Sequence, residues 1–312
     1  MIQLQYMASW APTFVSAMDS ELSARDNKPP FISFQLATVN KEGFPHNRTL
    51  VSRGFLFDDK TNNVLTFCTD KRTDKYRELL ENDRFEAVFY FEKIRKQFRL
   101  RGRARIIDDA HTPLLDLTNI QPKHVIASNI NSRINSSDEE DSEGEENLEI
   151  SIASSKPSKT TETENGALVS PQLAPLSYPI ISPSQLRQIR VDGGLISASF
   201  ANLQEIESLE FKSPTREEWN GEIERLWGSL SKGLKLGFRG PLPGENMDEK
   251  NQNLIDKINR GVDGKKEESG MKNFAVVGMF IDHVDYYDQE KGRRYMYNKD
   301  KLHHWDEQEV CP

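Results

Sequence analysis

Four cations, Arg48, Lys71, Arg72 and Lys75, fall near predicted strand ends and the start of a predicted helix. Backbone N–H groups at such places add to the positive field, and together they suit an anionic group such as a phosphate. A solvated basic face would carry the same residues, and spacing alone does not separate the two. A second basic set is different. Arg99, Arg101, Arg103 and Arg105 lie two residues apart on one strand, so they share a face and repel each other unless acids lie opposite. Asp83, Glu86 and Glu92 of the preceding segment, or a partner subunit, would supply them. These four read as an interface or an ion-pair lattice rather than as ligand contacts.

Other chemistry is thinly represented. His46, His111, His124, His283, His303 and His304 lack metal-ligand spacing, so no metal site is expected. Asp282, His283 and Asp285 form a strand-edge grouping. Cys68 sits in an apolar strand, where a thiol is buried and inert. The chain has no Gly-x-Ser-x-Gly elbow, no Gly-x-Gly-x-x-Gly turn and no phosphate-loop lysine.

The elements that must position these residues are mostly strands. A helix carries Phe14, Ala17, Met18, Glu21 and Leu22 on one face and ends before Pro29-Pro30. Strands are predicted over 31–39, 46–57, 64–68, 85–91 and 97–107, with a helix capped by Thr73 or Asp74 after the third. Antiparallel strands interrupted by one short helix suggest a closed barrel. Leu114 to Leu117 reads as a helical turn. Farther on, Leu195 to Phe200 reads as a strand or short buried segment. Ser213 then caps a helix with Trp219, Ile223, Leu226, Trp227, Leu230 and Leu234 on its apolar face. Residues 237–244 form a rigid loop, 246–270 a mobile polar stretch, and two strands follow over 274–284 and 293–298.

Of the 312 residues, 36% are hydrophobic, low enough that part of the chain is expected to stay unpacked. That part is an acidic, Ser- and Pro-rich insertion at 129–185, between an N-terminal part (1–128) and a C-terminal part (186–312) of the barrel. Ser136, Ser137 and Ser142 each precede an acid by three residues, a pattern suited to acid-directed phosphorylation. A net charge of −8 argues against nucleic acid as the main partner. No apolar run approaches the ~18 residues of a membrane span. Two cysteines are too few for a disulfide framework. A cytoplasmic, and also nuclear, location is expected.

In order and spacing, several segments resemble the pyridoxamine 5′-phosphate oxidase-like, FMN-binding split-barrel family, in its cyanobacterial-type subfamily. Arg48-Thr49-Leu50-Val51-Ser52-Arg53 is similar to the family's Arg-x-Val-Leu-Leu-Lys strand, Cys68-Thr69 to its Tyr-Thr pair, and Lys75 to the lysine that follows. Gln97 resembles the flavin-binding amide. Residues 219–244 are similar to a Trp-x-x-Leu-Ser…Phe-x-x-Pro-x-Pro-Gly segment, and Tyr287 with Arg293-Arg294-Tyr295 to a Trp…Arg-Leu-His segment. The resemblance implies a mostly β split barrel with peripheral helices that binds FMN through Arg48, Thr49, Leu50, Val51, Cys68, Thr69, Arg72, Lys75, Gln97 and Tyr287. It implies Arg53, Arg293 and Tyr295 as contacts for a small anionic substrate, and a homodimer with FMN between subunits. The sequence departs from the family at Asp74, where the oxidases carry a phosphate-binding arginine, and at Tyr295 and Tyr297, which replace a histidine and an arginine. A flavin-dependent oxidoreductase of unknown substrate is the expectation, and a non-catalytic flavin- or anion-binding sensor on the same fold is the alternative.

Overall fold

A computed structural model describes residues 2–3, 7–26, 31–118, 120, 123–124, 173–193 and 210–312. Eight strands form one sheet: β1 (Ser33–Val39), β2 (Pro45–Val51), β3 (Val64–Asp70), β4 (Arg84–Phe91), β5 (Lys96–Ile107), β6 (Phe274–Asp288), β7 (Arg293–Lys299) and β8 (Trp305–Val310). Helix α1 (Trp10–Ser23) precedes them, α2 (Asp74–Glu81) joins β3 to β4, and α3 (Pro183–Gly193), α4 (Arg216–Ser229), α5 (Lys232–Gly237) and α6 (Glu249–Arg260) lie between β5 and β6. The strands run antiparallel in the order β8-β7-β6-β5-β4-β1-β2, with β3 against the other edge of the first half of β6. Closure comes from the chain just after β2: Arg53 N–H donates to Thr66 O and Thr66 N–H to Gly54 O, both at 2.8 Å. The result is a mostly β split barrel with peripheral helices, as expected.

The split has a local cause. β6 is long enough to pair β3 with its first half and β7 with its second, and the transfer coincides with a bulge between Ile281 and His283. A bulge adds twist and bends a strand, which lets the two halves belong to different parts of the sheet. Gly102 of β5 lies opposite, so close that an added Cβ would stand 1.9 Å from Phe280 O.

Alternation then builds the interior. Phe34, Leu36, Phe89, Phe98 and Leu100 face inward, and α1 covers them with Trp10 and Phe14. The Phe14 ring meets those of Phe89 and Phe98 edge-on at 5.0 and 5.1 Å. Glu21, on the buried face of α1, accepts from the N–H groups of Lys93 and Ile94 and so closes the β4–β5 turn. A second apolar cluster packs Trp219, Ile223, Leu226 and Trp227 of α4 on the outside of β3 and β6.

The arginine strand is a lattice. Arg99 pairs with Glu86 and Asp285, and Arg103 and Arg105 both pair with Asp83. Burial alone would raise the Asp83 pKa, but the hydrogen bonds from Arg105 and Arg103 outweigh it and hold the carboxyl below its usual value. A depressed carboxylate stabilises the fold above its unfolded pKa and loses that contribution as pH falls through the folded value. Asp83→Asn is therefore expected to flatten the loss of stability below about pH 4, measured by urea unfolding across the acid range. An unchanged pH profile would contradict this.

Several local expectations are corrected. Residues 173–185, assigned to the disordered insertion, are packed in part: Tyr178 and Ile180 are buried, Tyr178 Oη donates to Ile281 O at 2.8 Å, and Arg105 reaches Ala174 O. Leu115–Asp116 is a short strand pairing Leu176–Ser177, not a helical turn. Helix α4 begins two residues later than predicted, because Thr215 and Glu218 form a reciprocal capping box that Ser213 does not. Residues 246–270 contain α6, capped by Asp248 and ended by Gly261 at φ +69°. Leu234 is exposed rather than on the buried face. The strand expected over 195–200 and Ser136, Ser137 and Ser142 lie outside the described residues.

Candidate functional site

Strand β2 pairs with β1 along its length, with Leu36 opposite Arg48 and Thr38 opposite His46. His46, Arg48 and Leu50 therefore share the face turned toward the interior and α2, while Thr49 and Val51 point outward. Within the ladder β2 is an edge, hydrogen-bonded to β1 alone until Arg53. Among the described residues no strand pairs with its other side.

Helix α2 supplies the facing wall. Thr73 precedes it in extended conformation, and its hydroxyl donates to Asp70 O at 2.7 Å rather than capping. Lys75 and Glu78 follow one turn apart on one helix face. Glu78 is buried and meets three side chains. Its Oε2 accepts from Thr38 Oγ1 at 2.5 Å and from Arg48 Nη2 at 3.2 Å, and its Oε1 lies 2.5 Å from His46 Nδ1. Arg48 Nη1 also donates to Thr38 Oγ1 at 2.5 Å. Burial opposes ionisation of Glu78, yet the Thr38, His46 and Arg48 contacts together keep its pKa below the usual glutamate value.

Lys75 is the exception in this cluster. It is half-buried and has no hydrogen bond or ion pair with any described residue. Burial first, and the charge of Arg48 second, lower its pKa. The carboxylates of Asp70, Asp74 and Glu78 act in the opposite direction but do not outweigh burial and Arg48, so the ammonium remains incompletely compensated. Ser52 adds a second unmet group: its Oγ is buried without a hydrogen-bond partner among the described residues. The Arg48–Lys75 corner thus fits a phosphate. Lys75→Met is expected to leave stability unchanged or slightly raised while weakening phosphate-ligand binding about tenfold, read by thermal unfolding and flavin titration. Tight binding retained in this variant would exclude Lys75 from the site.

The remaining predicted residues are distributed as follows. Thr69 is buried, its hydroxyl 3.2 Å from that of Thr73. Cys68 faces the opposite way, toward α4, with Arg53 beside its sulfur, and burial pushes the thiol pKa up to about 12. Arg72 is already committed: its guanidinium forks onto Asp70 at 2.6 and 2.9 Å and donates to Gly240 O at 2.9 Å. It ties the end of β3 to the loop after α5. Asp74 turns outward and pairs with Arg77. Gln97 and Tyr287 are lateral neighbours on β5 and β6, but on the outer face and three or more strands from β2, about 14 Å at ~4.8 Å per strand. Arg293 forks onto Glu309 at 2.6 Å and lies over the Tyr295 ring, which stacks on Tyr286 on the inner face. A single chain therefore places Arg48 beside Lys75, with Thr69 against Thr73 at the start of α2, and separates them from Gln97 and Tyr287 and from Arg293 and Tyr295. Sequence reasoning missed Glu78 and Thr38. Only the Lys75–Glu78 spacing hinted at a shared face.

The profile described as "Pyridoxamine 5'-phosphate oxidase, FMN-binding domain" matches residues 7–108, the stretch that carries β1 to β5 and the corner just described. Over almost the whole chain (98% of it, and 99% of the relative) the sequence is 32% identical to the uncharacterized protein YGR017W of Saccharomyces cerevisiae. The fold matches a pyridoxamine 5′-phosphate oxidase-related, FMN-binding protein of Nostoc punctiforme with a TM-score of 0.50, at 18% identity and 98% coverage of both chains. The chain belongs to the pyridoxamine 5′-phosphate oxidase-related FMN-binding family. Within that family it is 36% identical over 102 residues to pyridoxine/pyridoxamine 5′-phosphate oxidase 2 of Arabidopsis thaliana, a match covering 32% of this chain and 48% of the plant protein. Among the described residues no helix is long and apolar enough to cross a membrane, and no acid, histidine or cysteine group could hold a metal ion.

Proposed function

We propose that this protein binds FMN and works as a flavin-dependent oxidoreductase, with the cofactor shared between two copies of the chain. The observation that carries the reading is Lys75, a half-buried ammonium with no hydrogen bond or ion pair among the described residues, beside Arg48 on a strand of the family's type. Arg48 and Lys75 would hold the phosphate, with the hydroxyls of Thr69 and Thr73 close by at the start of α2. The free edge of β2 at Thr49, Leu50 and Val51 would border the ring system. Bound FMN supplies reversible two-electron redox chemistry, and the protein supplies position and electrostatics. Gln97 and Tyr287 lie too far from this corner to serve the same flavin within one chain. A second copy meeting the first across the outer face of the sheet would bring them to it, which is why a homodimer belongs to the proposal. Arg53 is the remaining candidate for an anionic substrate, because Arg293 is engaged by Glu309.

The absorption spectrum of the protein as purified tests the cofactor. Flavin bands, with FMN released on denaturation, are expected. A colourless protein that also fails to bind added FMN would overturn the reading. Light scattering after size exclusion tests the dimer. Anaerobic reduction of the bound flavin by a nicotinamide or an amine separates an oxidoreductase from a binding module.

A further inference from the structure

We infer that Glu78 is the positioning residue for Arg48: an internal carboxylate that fixes the guanidinium so that its unused N–H edge faces the ligand phosphate. The inference rests on the FMN reading above.

A guanidinium has five N–H donors. In this structure Nη1 is taken by Thr38 Oγ1 at 2.5 Å and more weakly by Leu36 O at 3.4 Å, and Nη2 by Glu78 Oε2 at 3.2 Å. Arg48 Nε has no acceptor among the described residues. All the groups that take donors lie on the β1 and α2 side, so the open edge is turned away from them. The carboxylate is itself held from two strands, by Thr38 of β1 and His46 of β2. Three elements thus converge on a side chain that is only 8% exposed. An arginine free in water would lose rotamer entropy on gripping a phosphate, whereas here the fold has already removed that freedom. Glu78 also keeps two neighbouring cations, Arg48 and Lys75, compatible with folding before an anion arrives. Its charge would repel a phosphate, but the Thr38 hydroxyl and His46 ring are aimed at the carboxylate and offset it.

The test compares FMN with riboflavin, which lacks only the phosphate, as ligands of the full-length protein. Wild type is expected to prefer FMN. Glu78→Ala is expected to lose about tenfold of that preference, equivalent to about 1.4 kcal/mol, with riboflavin affinity unchanged. Glu78→Gln keeps the acceptor oxygen and the shape, and should restore the preference to within about threefold of wild type. Should Glu78→Ala fail to fold, Glu78→Met fills the same volume and takes its place. Equal losses for both flavins, or no loss, would overturn the inference while leaving the cofactor reading intact. A glutamine variant as weak as the alanine variant would also overturn it, because orientation would then not be what Glu78 provides. Absence of FMN binding in wild type would overturn both.

Discussion

Arg48→Met is expected to weaken FMN binding by about 10- to 100-fold, with little change for riboflavin. That range corresponds to the ~1.5–3 kcal/mol typical of hydrogen bonds to charged groups. Methionine keeps much of the packing volume of the arginine stem, so the loss reads the guanidinium and not a cavity. The substitution also removes the cation that neutralises Glu78, whose side chain is 8% exposed and retains only Thr38 and His46. Removing one partner of a buried pair costs more than the pair contributes. Because Arg48 itself is 20% exposed, the expected destabilisation is about 2–3 kcal/mol rather than the full buried-pair figure. Urea unfolding measures the second effect and fluorescence titration the first. FMN affinity within twofold of wild type would place the phosphate elsewhere.

Gly102→Ala is expected to destabilise the barrel by at least about 3 kcal/mol. The new Cβ would meet Phe280 O at 1.9 Å, Phe280 C at 2.9 Å and Ile281 Cα at 3.0 Å, all of them backbone atoms at the bulge where β6 changes partners. No side-chain rotation relieves such a clash, so β5 and β6 must separate locally. Gly278→Ala is the control. Its Cβ meets side-chain atoms of Phe280 at 3.1 Å and Val64 at 3.4 Å, which can give way, and the expected cost stays below about 1.5 kcal/mol. Denaturation midpoints of the two variants should differ accordingly. Equal midpoints would mean that the bulge accommodates a methyl group.

Much of the barrel was legible because its strands face water on one side. Phe98, Leu100, Ala104 and Ile106 alternate with charged residues, and alternation is a local property that one strand displays by itself. That the arginine strand needs acids opposite was likewise legible, with Asp83 and Glu86 of the consecutive strand β4 among the candidates, whereas the pairing of Arg99 with Asp285 was not. The cluster of cations around β2 and α2 was legible in part. Arg48 and Lys75 carry family spacing, but Arg72 carries the same charge and is spent on Asp70 and the Gly240 carbonyl. Nothing in the sequence shows which carboxylate or carbonyl each guanidinium meets. Helix α6 and residues 173–185 were missed for a related reason. Their few apolar groups acquire a packing surface only from distant parts of the chain, as Tyr178 does from Phe280 and Ile281.

By itself, then, the sequence determined the strand alternation, the need for acids opposite the arginine strand and the order of the flavin-type motifs. These follow from neighbouring residues and short turns. The tertiary structure alone decided which partner each cation meets within the chain. That depends on Glu78 meeting Arg48 across 30 residues, on Arg72 reaching a loop 168 residues away, and on Lys75 forming no hydrogen bond or ion pair among the described residues. Contacts at such separations are set by how the barrel closes, and no local pattern records them.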